Sequence, residues 1–251
     1  MVRTEGEIRL HTSILDPAES EPEFPALNRS TEEPDPDPGW SRWALAGDEG
    51  TLWLRPCLPD RPLVLQPEAP FVLLPRASAR VFIRVPLWIR VEWQEGSPDP
   101  EAIPGEGTIL TEQPVTTLSN TWWGDVMEGE LAYWLETRAR RVYRENLRAA
   151  HLAICPLVLE NRSTTELQVD KLAFRTIHLG VFGDGTGFWG DESRVRYQGE
   201  SEGSEVEVSG RPPEEAGNPV LVTPPRVPPV RGIRARTFQR LRGISTLGGW
   251  A

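Results

Sequence analysis

A nucleophilic thiol needs a base within hydrogen-bond reach, and the chain offers few such couples. It carries three histidines, His11, His151 and His178, and two cysteines, Cys57 and Cys155. Cys155 with His178 is the one conceivable pair. Cys155, however, sits in the apolar run AICPLVL, where burial raises a thiol's pKa and leaves it inert. His151 and His178 fall in or beside strand patterns and read as core or surface residues. GxSxG, HExxH and GxxxxGK[ST] are absent, as is any CxxC spacing. The sequence therefore predicts no catalytic residue, no metal ligand set and no cofactor.

Two stretches could still do chemistry. GDGTGFWGDE (183–192) combines four glycines with Asp184, Asp191 and Glu192. Calcium takes oxygen ligands from such loops, but the spacing misses the EF-hand pattern, so the first reading is a glycine-rich hairpin. SNTWWGDVMEGELAYW (119–134) is the richest aromatic segment. Trp122, Trp123, Tyr133 and Trp134 with Asp125 would form a ligand-binding platform, since aromatic faces with a polar rim are typical of clefts. The bland alternative is that an indole plugs the end of a core and Gly124 permits the turn. A carboxylate pair such as Asp125 with Asp184 or Asp191 would suit a hydrolase if both faced one cleft.

These candidates must be carried by strands. The 251 residues include 25 prolines and 22 glycines, with 38% hydrophobic residues, which favours short strands joined by turns. RPLVLQPEAPFVLLPRASARVFIRVPLWIRVEW and HLAICPLVLENRSTTELQVDKLAF give apolar bursts of strand length, broken by prolines. WSRWALAGDEGTLWLRPCL reads as a hairpin turning at Gly47–Gly50, and residues 194–208 as another. The predicted fold class is all-β: an antiparallel two-sheet β-sandwich with flexible N- and C-terminal extensions. Residues 1–39 form a strand and an acidic, proline-rich arm, 40–211 the sandwich body, and 212–251 a proline-rich linker and basic tail. No apolar run of about 18 residues occurs and no signal core opens the chain, so a cytoplasmic location is expected.

The blocks RPLVLQPEAPFVLLPRASARVFIRVPLWIRV, TLSNTWWGDVMEGELAYWLETRA and AICPLVLENRSTTELQVDKL, in that order, resemble an uncharacterised prokaryotic family defined by a domain of unknown function. The resemblance spans about residues 50–185. It implies no activity and no site residue, and the region beyond about 211 has no counterpart in it.

Charge supplies the remaining signal. The net charge of −10 argues against nucleic-acid binding. Yet residues 216–251 hold six arginines and no acid, so −10 overall is +6 on the tail and −16 on the rest. Such a split suggests an interaction tail. Arg231, Arg234, Arg236, Arg240 and Arg242, with the apolar Phe238, Leu241 and Ile244, form the expected partner-binding set, and spacings of three permit a short amphipathic turn. The leading expectation is a non-enzymatic interaction or structural subunit. It would dock on a protein partner or a second copy through this tail; an anionic membrane surface is a lesser possibility. The alternatives are a carbohydrate- or small-ligand-binding module built on the 122–134 stretch, and the carboxylate-pair hydrolase.

Overall fold

The computed structural model describes residues 2–4, 6–11, 40–47, 49–96, 107–136, 139–199, 203–229, 233–235 and 237–238. It is all-β. The strands are β1 (Val2–Thr4), β2 (Glu7–Leu10), β3 (Ser41–Ala44), β4 (Gly50–Cys57), β5 (Leu63–Leu65), β6 (Phe71–Leu73), β7 (Ser78–Pro86), β8 (Trp88–Glu95), β9 (Thr108–Pro114) and β10 (Ser119–Trp123). They continue with β11 (Glu130–Trp134), β12 (Leu152–Asn161), β13 (Leu167–Val169), β14 (Leu172–Phe174), β15 (Val181–Gly183), β16 (Phe188–Gly190), β17 (Ser193–Gly199), β18 (Gly203–Val208), β19 (Val220–Thr223) and β20 (Ile233–Ala235). The helical content of the described residues is two 3₁₀ turns, Glu145–Leu147 and Glu214–Ala216. None of their helices is long and apolar enough to cross a membrane.

The chain divides into two compact units. The first is Met1–Arg55 with Ile89–Val115. It holds a sheet of order β1-β2-β3 and the bulk of a sheet of order β4-β8-β9. β3 pairs with β2, not with β4, so the strands on either side of Gly47 and Gly50 belong to two sheets instead of forming a hairpin. Trp93 of β8 is buried under the guanidinium of Arg3, 4.8 Å from its ring. It lies so close to Gly50 that a Cβ there would meet its ring at 2.2 Å. On the alternate residues of β8, Arg90 and Glu92 are buried charges. They are tied into a chain in which Arg90 bonds Glu112 at 2.7 Å and Arg55 bonds Glu92 at 3.1 Å. Pairing of this kind offsets the desolvation cost of burying the charges.

The second unit is Pro56–Trp88 with Thr116–Ala251. Its main sheet has the order β19-β15-β16-β12-β17-β18-β20, with β7 also on β12. Beside it are a sheet of order β10-β11-β5-β14 and the pair β13-β6. β12 is the axis. Over nine residue pairs it runs antiparallel to β7, from Leu152↔Pro86 to Glu160↔Ser78. Its other edge is shared by β16 and β17, both parallel to it. β11 and β5 are parallel as well. The expected two-sheet antiparallel sandwich is thus corrected to several sheets with mixed pairing. The near-continuous apolar runs of β7 and β12 are those of strands buried on both faces. They line a core with Leu63, Leu65, Leu172, Phe174 and Val195.

The C-terminal region is also built differently from the expected free tail. β20 extends the main sheet by pairing with β18, Val206↔Ile233 to Ser204↔Ala235. The Thr237 carbonyl accepts the Ala173 N–H at 3.0 Å. Phe238 bridges to Leu172 and meets Tyr197 edge-on, ring centres 5.7 Å apart. Residues 233–235 and 237–238 therefore belong to the second unit. The cause is legible in IRARTF, where Ile233, Ala235 and Thr237 alternate with their neighbours at the period of a strand, not a helix. Arg231, Arg236, Arg240, Leu241, Arg242 and Ile244 lie outside the described residues, as does the acidic segment 12–39. Phe238→Ala should then destabilise the protein by about 2 kcal/mol, below the range for a fully buried phenylalanine. Its thermal midpoint should fall by roughly 4–8 °C, measured by calorimetry against the wild type.

Candidate functional site

β10 and β11 form a regular antiparallel hairpin in the second unit, with Ser119↔Trp134, Asn120↔Tyr133, Thr121↔Ala132, Trp122↔Leu131 and Trp123↔Glu130 opposite one another. Residues opposite in such a ladder share a face, and neighbours along a strand take opposite faces. The adjacent Trp122 and Trp123 are thereby sent to different environments. Trp123 is 2% exposed and packs with Val64, Ala132, Ala173 and Trp134. Trp122 is 50% exposed, and its partner Leu131 44%. The predicted ligand-binding set is accordingly split: Trp122 and Tyr133 lie on one face, Trp123 and Trp134 on the other.

The turn that joins the strands is specified by glycine. Gly124 adopts φ +105°, which disfavours any side chain, and a Cβ on it would lie 2.9 Å from the Gly129 Cα. A Cβ on Gly129 would meet the Trp122 indole at 2.2 Å. Without those two side chains the Gly129 N–H reaches the Asp125 carbonyl at 2.7 Å. The Trp122 N–H reaches the same oxygen at 3.0 Å. The indole is thus tied to the turn. Val126 and Met127 cap the turn, 87% and 91% exposed, between the acids Asp125 and Glu128.

Further along the Trp122 face, Tyr133 is the hub of a polar cluster. Its hydroxyl donates to Asp60 at 2.9 Å. The Arg61 guanidinium lies 5.2 Å from its ring and donates to Asn120 at 3.1 Å. Trp88 stands 6.1 Å away, tilted by 53°, and carries the Arg226 guanidinium at 5.7 Å. Arg226 is itself fixed by two bonds to the Leu58 carbonyl. Burial, then the hydrogen bond to Asp60, raises the Tyr133 pKa above its ordinary value, so the phenol stays protonated as a donor. Asp60, Arg61, Trp88 and Arg226 carry no local signal of this role, because the first pair lies about 70 residues before Tyr133 and the last over 90 after it.

The glycine-rich loop 183–192 does not gather its carboxylates. One Asp184 oxygen accepts the N–H groups of Thr186 and Gly187 and the Thr186 hydroxyl, each at 2.8 Å. The other accepts the Trp189 indole N–H and pairs with Arg148, both at 3.0 Å. Burial pushes this carboxyl up, but the Trp189 and Thr186 hydrogen bonds and the Arg148 charge outweigh it and hold it far below the usual range. Glu192 pairs with Arg80 at 2.7 Å. Asp191 is buried, its carboxylate accepting the Gly180 N–H at 2.5 Å. The expected glycine-rich hairpin is there, β15 pairing antiparallel with β16, and Asp184, Asp191 and Glu192 each engage their own structural partner. Among the described residues no group of three His, Cys, Asp or Glu side chains could hold a metal ion. Cys155 is fully buried, and burial and then the nearby Asp191 push its thiol strongly up. His178 contacts the Val227 carbonyl at 3.1 Å, and no hydrogen bond joins it to Cys155.

With the geometry in view, the comparisons place the chain. It belongs to the family described as "Protein of unknown function (DUF432)", which matches residues 3–242. That match extends past the 50–185 span of the sequence resemblance in both directions, and it takes in the segment after 211. No curated protein and no solved structure matches the chain.

Asp191 generates a prediction about pH. Burial raises its carboxyl to about 6, above the ~3.9 of an unfolded aspartate. Its contribution to stability is therefore complete below pH 4 and is lost as the pH rises through 6. Asp191→Asn keeps an acceptor for Gly180 and removes the titration. The variant should exceed the wild type by about 2–3 kcal/mol at pH 7 and match it at pH 4, in urea denaturation at the two values.

Proposed function

We propose that this protein is a non-enzymatic interaction subunit that docks a protein partner through the β10–β11 hairpin. The observation that carries the reading is the apolar tip: Val126 and Met127 stand almost wholly in water beside the half-exposed pair Trp122 and Leu131. Contiguous apolar surface of this kind, with a polar surround, marks contact sites. Large aromatics and methionine are enriched at the centres of such contacts. The hairpin is rigid, since glycine-specified turn geometry holds the Trp122 ring before any partner arrives, and preorganisation lowers the cost of association.

The charges around the tip define the partner. Asp125 and Glu128 flank the apolar residues, so the surface favours an apolar patch with a basic rim. The chain's own residues 239–251 have that composition, with Arg240, Arg242, Leu241 and Ile244 and no acid. A second copy is thus one source of the partner. The docking element on this side is the hairpin and not the arginine tail.

A photo-crosslinking residue at position 127 is expected to give a discrete protein adduct in cells, whereas one at the exposed Gln168 of β13 gives none. Mass spectrometry of the adduct distinguishes a second copy from another protein. Met127→Asp in the crosslinked pair should weaken association at least about tenfold, or roughly 1.4 kcal/mol, while shifting unfolding by less than about 0.5 kcal/mol. Identical crosslinking at 127 and 168 would sink the reading.

A further inference from the structure

The sheet of order β10-β11-β5-β14 has one closed edge and one open edge. Beside β14 the chain closes it with its own C-terminal segment, for the Ala173 N–H donates to the Thr237 carbonyl at 3.0 Å and Phe238 bridges to Leu172. Beyond β10 no described strand follows. The register shows which groups are left there. The Tyr133 N–H donates to the Pro62 carbonyl and the Leu135 N–H to the Val64 carbonyl, each at 2.9 Å. The odd residues of β11 thus turn their backbone groups to β5. The even ones, Glu130, Ala132 and Trp134, turn theirs to β10, where Trp123, Thr121 and Ser119 stand opposite. Asn120 and Trp122 therefore direct their N–H and C=O groups away from the sheet. Among the described residues no backbone group bonds them there.

Proteins blunt exposed edges with charge, proline or a bulge. β19, at the edge of the main sheet, lies between Pro219 and Pro224. β10 has none of the three. Residues 115–124, VTTLSNTWWG, contain no charged residue and no proline, and the pairs with β11 run without a shift. Ser119, Asn120 and Trp122 are exposed. Such an edge is a template for another strand.

The strand that fits it is β10 of a second copy. The chain carries −10, so two copies repel wherever their acids meet. Along 115–124 there are no acids to oppose, and a charged partner strand would find nothing to pair with. The phase is self-complementary as well. Let two β10 strands run antiparallel about a two-fold axis at Thr121. Asn120 of one copy then stands opposite Trp122 of the other, and their outward N–H and C=O groups bond one another. Thr121 faces its own counterpart across the axis, a favourable cross-strand pair. The two Trp122 rings become diagonal neighbours, within reach of each other. We infer that the protein forms a two-fold dimer by antiparallel pairing of β10 with β10, an isologous contact that makes one continuous sheet of two. This goes beyond the hairpin reading, since it uses the β10 backbone and leaves Val126 and Met127 outside the seam.

Thr121→Cys tests it on the full chain. Residues facing each other at a non-hydrogen-bonded antiparallel position have Cα atoms about 4.5 Å apart, within the ~4.4–6.8 Å that a disulfide spans. The native Cys57 and Cys155 are buried. Under mild oxidation this variant is expected to become a covalent dimer faster than Asn120→Cys, whose counterpart lies diagonally across the seam. By sedimentation the wild type should be a dimer. Thr121→Lys and Thr121→Glu should each weaken it at least about tenfold, or roughly 1.4 kcal/mol, and an equimolar mixture of the two should restore it. Restoration separates a lost contact from a lost fold. Met127→Asp should leave the crosslinking of Thr121→Cys unchanged. A monomeric wild type, a dimer that survives Thr121→Lys, no preference for crosslinking at 121, or a mixture that stays monomeric would overturn the inference. Loss of the crosslink through Met127→Asp would overturn it too, while leaving the hairpin tip as the contact.

Discussion

Strand β12 has neighbours on both edges, and its fifth position the chain fills with the one residue that cannot donate, Pro156. Proline inside a sheet is confined to edges or bulges, and here the bulge falls on the facing strand. β16 runs beside β12 at an offset of 35 residues, Ala153↔Phe188, and β17 at an offset of 36, Leu157↔Ser193. One extra residue is absorbed between them, opposite Cys155 and Pro156. The remaining local structure follows from that mismatch. Gly190 must be glycine, because a Cβ would lie 2.6 Å from the Cys155 sulfur. Asp191 is turned inward, where its carboxylate accepts the Gly180 backbone N–H. Bulges re-aim side chains in this manner, and the cost of this one appears as a buried carboxyl whose pKa burial raises.

The hairpin surface depends on the same alternation, applied to two tryptophans in a row. The strand period is two, so WW cannot place both rings alike. One ring closes a small second core against alanines and a valine, and the other is left outside. Arginine then finishes the surfaces that the aromatics begin. Guanidinium groups lie over Phe82, Trp189, Tyr133 and Trp88 in the second unit. A planar, weakly hydrated cation stacks on a ring where a lysine ammonium would hold its water. Each such contact is worth about 0.5–1 kcal/mol at an exposed site, so the arginine-rich composition has a structural use beyond charge.

Strand content, the central apolar runs and their breaks were legible because they are local. The turn after Glu160 is an example: the Asn161 carboxamide accepts both the Ser163 N–H and its hydroxyl, as its residue types require. The 193–208 hairpin is another. Sheet membership was not legible. WALAGDEGTLW carries a hairpin's pattern, yet its two strands find partners far away in sequence, and parallel pairs such as β12 with β17 leave no trace in short-range alternation. The C-terminal segment departs from its expectation for a related reason. Its arginine count suggested a solvated tail, whereas the period of IRARTF decides its structure once an unpaired edge of β18 is available. At the candidate site the aromatics could be found from composition, but which of them face outward is set by register, and the polar partners of Tyr133 come from three distant segments.

The 27 basic residues include one lysine, Lys171, and the fold sets it over the Trp134 ring. Every chemistry that acts on a side-chain amine, from acylation to conjugation of another polypeptide, has a single internal address in this chain. A label attached there would report on its immediate surroundings without competition from other side chains. The bias towards arginine has left the protein, in effect, with one chemically distinct handle.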